Sequence, residues 1–374
     1  MRFATKAIHA GQEPDPRTGA VTPPIYATST YARKDQDAYA YARGANPTRD
    51  ALQKSLAALE DATYALSFSS GMGAITTALT LLKKGDHVVV TDDCYGGVYR
   101  IFTRFMAQYG IESTFLDLRD LVGVEDAFRP ETRMLWIESP TNPLMKVVDL
   151  RELAVLAKAH DAISVCDNTF ASPALQNPLR LGADLVVHST TKYIGGHADL
   201  LGGGLVMNRG DLFEKLKFAQ NALGAVPSAF DCWLTLRGIK TLAVRMEQHC
   251  DNAEALATFL REHRAVATVH YPGLPDDPGH GLARKQMRRF GGMLSFEVRE
   301  PTGIIERLKR LEVVLLAESL GGVESLIEHP ASMTHASVPK EQRERQGITE
   351  GLVRFSVGIE DPQDLIEDLT RALA

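Results

Sequence analysis

Four short runs of apolar, mostly β-branched residues recur between residues 86 and 190: DHVVVTD, RMLWIES, AISVCDN and DLVVHST. Stretches with the three- and four-residue spacing of a helix separate them: GGVYRIFTRFMAQYG, DLRELAVLAKAH and SPALQNPLRLGA. Strands that are apolar on both faces and alternate with helices are typical of a mostly parallel β-sheet covered on two sides. The sequence therefore predicts an α/β fold, whose ligands bind at the carboxyl ends of the strands.

At 374 residues the chain exceeds what one hydrophobic core usually supports, so we expect a large and a smaller domain. Residues 1–45 are rich in Pro, Gly, Thr and Tyr and show no sustained period, which predicts an extended arm. Residues 46–235 contain the alternating strands and helices. Residues 236–374 begin with a long helical stretch and continue with short strands and helices, which favours a smaller α+β domain.

Charge and cysteine content argue against several classes of partner and site. The net charge of −6, with no run of Lys or Arg, gives no electrostatic reason to bind nucleic acid or an anionic membrane. The N-terminus MRFATKAIHAG lacks the apolar region of a signal peptide, and no apolar stretch approaches the length of a membrane span. We therefore expect a cytoplasmic protein. Neither a zinc site nor a disulfide framework is expected, because no C-x-x-C pair occurs among Cys94, Cys166, Cys232 and Cys250.

One lysine follows a predicted buried strand directly. In DLVVHSTTKYIGGH the strand ends just before Lys192, so the ammonium group should emerge at the edge where a sheet of this kind meets its ligand. Partial desolvation lowers the pKa of a lysine, and a neutral amine can form a Schiff base with a carbonyl compound. The alternative is an ordinary lysine whose charge reaches solvent at the end of a strand.

Two further segments supply what a phosphate-bearing cofactor would need. Asp167 ends the neighbouring strand AISVCDN, and a buried carboxylate is costly unless it is paired. The turn SFSSGMG leads into a helix and offers the backbone N–H groups of Gly71 and Met72 to an anion; a plain tight turn is the alternative. Ser189 and Thr191 can add hydroxyl donors. Pyridoxal 5'-phosphate needs a lysine, a carboxylate at its ring nitrogen and a phosphate site, whereas the G-x-G-x-x-G fingerprint of a nicotinamide dehydrogenase is missing.

The sequence resembles the Cys/Met-metabolism family of pyridoxal-phosphate enzymes over nearly its whole length. The resemblance rests on segments that occur in one order: TPPIYATSTY, YARGANPTR, SSGMGAI, DDCYGGVYRIF, IESPTNP, CDNTFASP, DLVVHSTTKYIGGH, AESLGGVESLIEHPASMTH and LVRFSVGIED. It implies the type I, aspartate aminotransferase-like fold and a homotetramer formed by two tight dimers.

The resemblance also assigns the cofactor contacts. Lys192 would bind the cofactor covalently, Asp167 would pair with its pyridinium nitrogen, and Tyr95 would stack on the ring. Four residues of the same chain would bind the phosphate: Gly71, Met72, Ser189 and Thr191. Tyr41 and Arg43 of YARGANPT match residues that reach the phosphate of the neighbouring subunit, which would explain the arm. The alternative for these two is a solvated loop.

For the substrate, the resemblance makes Arg354 of LVRFSVG the residue that binds the α-carboxylate. Asn142 and Ser319 would help it, and an interior structural salt bridge is the alternative. Glu318 and Arg100 are the further candidates, with Arg100 placed to hold a distal carboxylate. His188 and His197 lack a carboxylate or cysteine at suitable spacing, so we expect structural roles for both and no metal.

The resemblance implies chemistry at the γ-carbon of an amino acid. The expected reaction is γ-elimination on cystathionine, which yields cysteine, 2-oxobutyrate and ammonia. The alternative is a γ-synthase, which replaces the acyl group of O-succinyl- or O-acetylhomoserine by cysteine.

A few positions bear on the choice among the activities of the family. Family β-lyases lack a match to AESLGGVESL with Glu318, and Gly97 stands where methionine γ-lyases tend to carry cysteine. Gly44 and Ala40 depart from residues found in some synthases and several lyases respectively, which leaves that choice open. A non-catalytic protein on the same fold would be expected to lack the lysine or its partners.

Overall fold

The computed structural model describes residues 1–32, 39–336 and 338–374, so part of the expected arm, residues 33–38, lies outside the described residues. Its larger sheet has seven strands in the order β1-β7-β6-β5-β4-β2-β3. All neighbours are parallel except β7, which is antiparallel to both β1 and β6. The mostly parallel α/β sheet is thus confirmed. The strands are β1 Tyr64–Phe68, β2 His87–Thr91, β3 Glu112–Leu116, β4 Thr132–Glu138, β5 Ile163–Asp167, β6 Leu185–Ser189 and β7 Gly203–Met207.

Helices cover both faces of this sheet, and an apolar layer separates them from it. Val187 of β6 packs in the layer beneath α3, α4 and α8, whereas Val186 packs on the opposite face with α2, α9 and α10. A third apolar cluster joins α5 and α6 to the central strands. The helices are α1 Phe3–His9, α2 Pro47–Leu59, α3 Gly71–Leu79, α4 Gly96–Arg100, α5 Leu121–Ala127, α6 Leu150–Ala159, α7 Ser172–Leu175, α8 Gly210–Leu223, α9 Ala229–Ile239 and α10 Leu242–Glu262.

The C-terminal part contains a second sheet of five strands in the order β10-β11-β12-β9-β8. It packs against α10 and α14 around its own apolar cluster, as expected for an α+β unit. The predicted domain limits at residues 45 and 235 stay predictions. The elements are α11 His280–Gln286, α12 Ile304–Leu308, α13 Lys340–Gln346, α14 Pro362–Leu373, β8 Val266–His270, β9 Met293–Val298, β10 Leu315–Leu316, β11 Leu326–Glu328 and β12 Leu352–Ser356. Within the described ranges, no helix is long and apolar enough to cross a membrane.

The start of α3 brings three chain segments close together. Ser70 caps this helix, because its side chain accepts a hydrogen bond from the backbone N–H of Gly73. A Cβ on Gly71 would lie 3.0 Å from Cβ of Ser189, and one on Gly203 would collide with the carbonyl oxygen of Ser70. Glycine at these positions therefore lets β6, β7 and the first turn of α3 meet at one edge of the sheet.

The structure departs from the sequence-based expectations in three segments. The expected extended arm contains the helix α1, which buries Ala7; a single buried residue gives no period to detect. SPALQNPLRLGA forms only α7 and a 3₁₀ turn at Pro178–Leu181, because proline does not fit a helix interior. GGVYRIFTRFMAQYG begins with α4 but continues as a π-helix at Ile101–Phe105 and a 3₁₀ turn at Met106–Tyr109.

A buried carboxylate on α14 provides a test of the C-terminal fold. Asp368 is fully buried and accepts hydrogen bonds from the backbone N–H groups of Glu312, Val313 and Val314. Asp368→Asn turns an amide donor toward these donors, so we expect the free energy of unfolding to fall by about 1–3 kcal/mol. Urea denaturation measures it, and the exposed Glu367→Gln on the same helix is the control. Equal stability of the two variants would contradict the structural role of Asp368.

Candidate active site

A cavity of about 300 Å³ opens at the carboxyl ends of β4, β5 and β6, beside the first turn of α3. Eleven of the residues singled out from the sequence line it, although they are scattered over almost 300 positions. They are Gly71, Met72, Tyr95, Asn142, Asp167, Ser189, Thr191, Lys192, Glu318, Ser319 and Arg354. The parallel topology explains this, because the carboxyl ends of parallel strands meet at one edge.

Lys192 is the central amine of the cavity. It lies three residues beyond β6, and its Nζ donates a hydrogen bond to Oγ of Ser319 at 2.7 Å. Burial and, to a smaller extent, the positive charge of Arg354 lower the pKa of this lysine to about 8, against the opposing effect of Glu328 and Glu318. About a tenth of the Lys192 population is therefore a neutral, nucleophilic amine at pH 7, far more than for a lysine of ordinary pKa.

Asp167 lies at the end of β5 and is 7% exposed. One carboxylate oxygen accepts a hydrogen bond from the backbone N–H of Thr169 at 3.0 Å. Burial raises the pKa of Asp167, while the bonds to Thr169 and the charge of His188 act in the opposite direction. A buried carboxyl group beside a cavity is the environment in which a cationic partner is stabilising.

The first turn of α3 and the end of β6 form the end of the cavity that offers hydrogen-bond donors to an anion. Gly71 and Met72 begin the helix, where backbone N–H groups have no acceptor within the helix, and Ser189 lies against Gly71. The hydroxyl of Thr191 lines the cavity but already bonds the backbone of Gly202, accepting from its N–H at 3.0 Å. The Thr191 hydroxyl thus has a backbone partner, Gly202, that the sequence does not reveal.

Arg354 on β12 is buried and points its guanidinium at the other end of the cavity. It donates to Oδ1 of Asn142 at 3.0 Å and to the carbonyl oxygen of Ser319 at 2.8 Å. It also pairs with Glu328 at 3.0 Å, so the structural salt bridge that was the alternative reading exists as well. The sequence analysis missed Glu328, although an acidic residue in the apolar run SLIEH was a usable signal.

Glu138 is a second acidic residue that the sequence analysis missed. It ends β4 directly opposite Asp167 of β5, is buried, and lines the same cavity. Its carboxylate accepts the backbone N–H of Tyr95 at 2.9 Å, which ties the cavity floor to the start of α4. Burial, followed by the negative charge of Asp167, raises its pKa well above the usual value. The signal was the acid at the strand end in IESP, the position type that identified Asp167.

Three predicted site residues do not reach the cavity of their own chain. Tyr41 is 52% exposed, and the Arg43 guanidinium donates to the carbonyl oxygen of Asn221 at 2.6 Å. Arg100 is exposed on α4, outside the cavity lining. The two histidines named from the sequence have structural contacts: His188 with Glu60 and His197 with the carbonyl oxygen of Gly195.

Residues 4–374 match the family model described as Cys/Met metabolism PLP-dependent enzyme. The chain belongs to this family. It is 52% identical to a cystathionine beta-lyase of Coxiella burnetii, over 99% of this chain and 97% of the relative. It is also 52% identical to a cystathionine gamma-synthase of Mycobacterium tuberculosis, over 99% and 96% of the two chains. The crystal structure of cystathionine gamma-lyase from Lactobacillus plantarum complexed with L-serine superimposes with a TM-score of 0.97, at 44% identity, covering 100% and 98% of the chains.

As a member of this family, the protein is a PLP-dependent enzyme of cysteine and methionine metabolism. The cavity fits that cofactor on its own evidence: it combines a desolvated amine, a buried carboxyl group and a helix start with free donors. Identity does not separate the activities, because relatives with β-lyase and γ-synthase names are equally similar. We expected the segment with Glu318 to argue against β-lyase activity, and the overall sequence identities do not support this.

The lowered pKa of Lys192 can be measured directly. In cofactor-free protein, we expect acetylation of the Lys192 amine to rise with a midpoint near pH 8, because burial disfavours its charged form. Peptide mass spectrometry after pulses of acetic anhydride at increasing pH gives the midpoint, with the exposed Lys215 as internal reference. A midpoint near 10.5, the ordinary lysine value, would show that the amine is solvated.

Proposed function

We propose that the enzyme catalyses γ-elimination on cystathionine, releasing cysteine, 2-oxobutyrate and ammonia. The observation that carries this is the arrangement around Lys192, whose amine contacts Ser319. Glu318, the residue before Ser319, lines the cavity and is exposed, whereas Arg354 lines the cavity and is buried. Cystathionine has an amino-acid group at each end. A buried guanidinium suits one α-carboxylate, and a carboxylate at the rim suits the ammonium group at the far end.

The cofactor-binding roles are part of this proposal. PLP supplies an aldehyde for the substrate amine and a ring that accepts electrons from the substrate carbon. Lys192 would hold it covalently, Asp167 would keep a proton on its ring nitrogen, and Tyr95 would pack against its ring. The donors at the start of α3 and the end of β6, namely Gly71, Met72, Ser189 and Thr191, would bind its phosphate.

The remaining residues bind the substrate and move its protons. Arg354, steadied by Asn142, holds the α-carboxylate so that the Cα–H bond faces Lys192. The Lys192 amine takes the Cα proton as general base, which its lowered pKa allows. Tyr95 exchanges a proton with the substrate amine or the leaving group. Arg100 on α4 is the candidate contact for the distal carboxylate.

A γ-synthase that uses O-succinyl- or O-acetylhomoserine and cysteine is the second candidate, because relatives with that name are 52% identical over nearly the whole chain. The same cavity serves both reactions, since they differ only in whether a thiol adds after the γ-substituent has left. Glu318 at the rim suits the distal ammonium group of cystathionine, and in the synthase reaction it would suit the same group of the incoming cysteine. Gly44 and Ala40 leave this choice open.

Tyr41 and Arg43 are proposed to reach the phosphate bound by a neighbouring subunit. In support, both lie outside the cavity of their own chain, and Tyr41 is half exposed. We accordingly propose a homotetramer built from two tight dimers with shared active sites. A reducing cytoplasm is the proposed location; the four cysteines are all buried free thiols.

The products of one assay separate the activities. With cystathionine alone, we expect 2-oxobutyrate and cysteine, because cleavage occurs at the γ-carbon; pyruvate and homocysteine would instead indicate cleavage at the β-carbon. A second incubation contains O-succinyl- or O-acetylhomoserine with cysteine, and cystathionine accumulates there if replacement dominates. Lys192→Ala, expected to be inactive in both, is the control. Pyruvate as the main product of the first incubation would refute the γ-lyase proposal.

Shared sites predict complementation between two defective variants. Lys192→Ala and Arg43→Ala are each expected to lose most activity as pure proteins. In a randomly mixed dimer population, one site in four combines an intact Lys192 with an intact Arg43 of the partner chain, so about a quarter of wild-type activity should return. Activity after co-expression measures this. Absence of any recovery would place Arg43 in the site of its own chain or outside the site.

A further inference from the structure

Glu60 is a buried acidic residue on the far side of the large sheet from the cavity. It follows α2 directly as its C-cap residue and is 1% exposed. An ionised carboxylate in such a place is stabilised only when its oxygens accept hydrogen bonds. The hydrogen bonds that its carboxylate accepts therefore indicate its role in the structure.

Three side chains from three chain segments donate to this one carboxylate. Oε1 accepts from Nδ2 of Asn168 at 3.1 Å and from Nε2 of His188 at 2.7 Å. Oε2 accepts from Nδ2 of Asn177 at 2.9 Å. Asn168 follows β5, His188 belongs to β6, and Asn177 precedes the 3₁₀ turn at Pro178–Leu181. Glu60 thus ties the ends of two central strands to the C-terminus of α2.

Strand alternation connects these contacts to the cavity. Successive side chains of a strand point to opposite faces, so Asn168 and His188 face Glu60 while Asp167 and Ser189 face the cavity. The two strand ends are also joined to each other, since the N–H of Asn168 donates to the carbonyl oxygen of Val187 at 3.0 Å. A shift of the residues that Glu60 holds would move their chain neighbours in the cavity.

We propose that Glu60 is a positioning residue of the active site, which holds the ends of β5 and β6 so that Asp167 and Ser189 meet the ring nitrogen and the phosphate of PLP. This rests on the cofactor roles proposed above for Asp167 and Ser189. Glu60 touches neither cofactor nor substrate. It acts through Asn168 and His188, the residues adjacent in sequence to the two that do.

The carboxylate is the group that suits this position. Three N–H donors converge on it, and its two oxygens together offer enough lone pairs to accept from all of them. A glutamine of the same shape has one accepting oxygen, and its NH₂ group would face at least one donor. Glu60→Gln therefore disturbs the contacts with almost no change in volume, which separates the electrostatic role from packing.

The test compares Glu60→Gln with wild type as purified PLP-loaded enzymes. The first measurement is the rate of PLP loss after dilution, followed by absorbance, and we expect an increase of about tenfold or more. Supporting contacts behind metal ligands are worth roughly 10- to 100-fold in affinity, and the same logic applies here.

The second measurement is the pH midpoint of the visible absorption band, which reports the proton on the Lys192 nitrogen. It should move upward, because a ring nitrogen that Asp167 no longer contacts would give up its proton to solvent, and the neutral ring would withdraw less electron density from the Lys192 nitrogen. Asp368→Asn is the matched control: it alters an equally buried carboxylate with several donors, and neither Asp368 nor its donors line the cavity. It should lower stability but change neither measurement.

The outcomes separate this inference from the cofactor assignment. Asp167→Asn and Ser189→Ala should change the midpoint and the rate of PLP loss respectively; if neither does, the assignment fails. If they do and Glu60→Gln behaves as wild type in both measurements, the role of Glu60 is refuted. Should Glu60→Gln not fold, His188→Gln decides, since it keeps one amide donor for Glu60. A smaller change in the same direction supports the inference, and wild-type behaviour overturns it.

Discussion

The register of the central parallel strands is the constraint on which the site depends. Buried strands must pair their backbone N–H and C=O groups, so neighbouring strands fix the register of β4, β5 and β6. This places Glu138 opposite Asp167 and Asp167 opposite Val187. A shift of one residue would turn Asp167 to the far face of the sheet and leave Lys192 without its counterpart. The cavity is therefore a consequence of strand pairing, and helix packing protects it.

The site keeps several charged groups in unfavourable surroundings. Burial lowers the pKa of Lys192 and raises that of Asp167, so each charged form is costly until a ligand of complementary charge binds. Ser319 has a φ of 93°, a backbone conformation rarely adopted by a residue with a side chain. Its hydroxyl contacts Lys192 and its carbonyl contacts Arg354, so the two charged residues hold this conformation in place. The fold thus already holds the charged groups that would bind a charged cofactor.

Much of this could be predicted from the sequence, and the omissions share a cause. The four apolar runs became β2, β4, β5 and β6, and the residues at the ends of the last three line the cavity. β1, β3 and β7 were not singled out, because a strand at or near the sheet edge, or one rich in glycine, has a weak pattern of its own. Glu138 and Glu328 carried a local signal, an acid in or at the end of an apolar run, but their partners are far away in the chain. Glu60 follows a helix, where nothing local distinguishes a buried acid from a solvated one.

The sequence by itself determined the alternation that produces a parallel sheet, the lysine and the aspartate at its strand ends, and the family. Those features depend on the order and spacing of residues along the chain, which can be read without knowing the fold. Tertiary structure decided which polar side chains meet: Arg354 with Glu328, Glu60 with His188, and Lys192 with Ser319. It also showed that Tyr41 and Arg43 lie outside the cavity of their own chain. The physical reason is that pairing and burial depend on distances in space, which only the folded backbone sets.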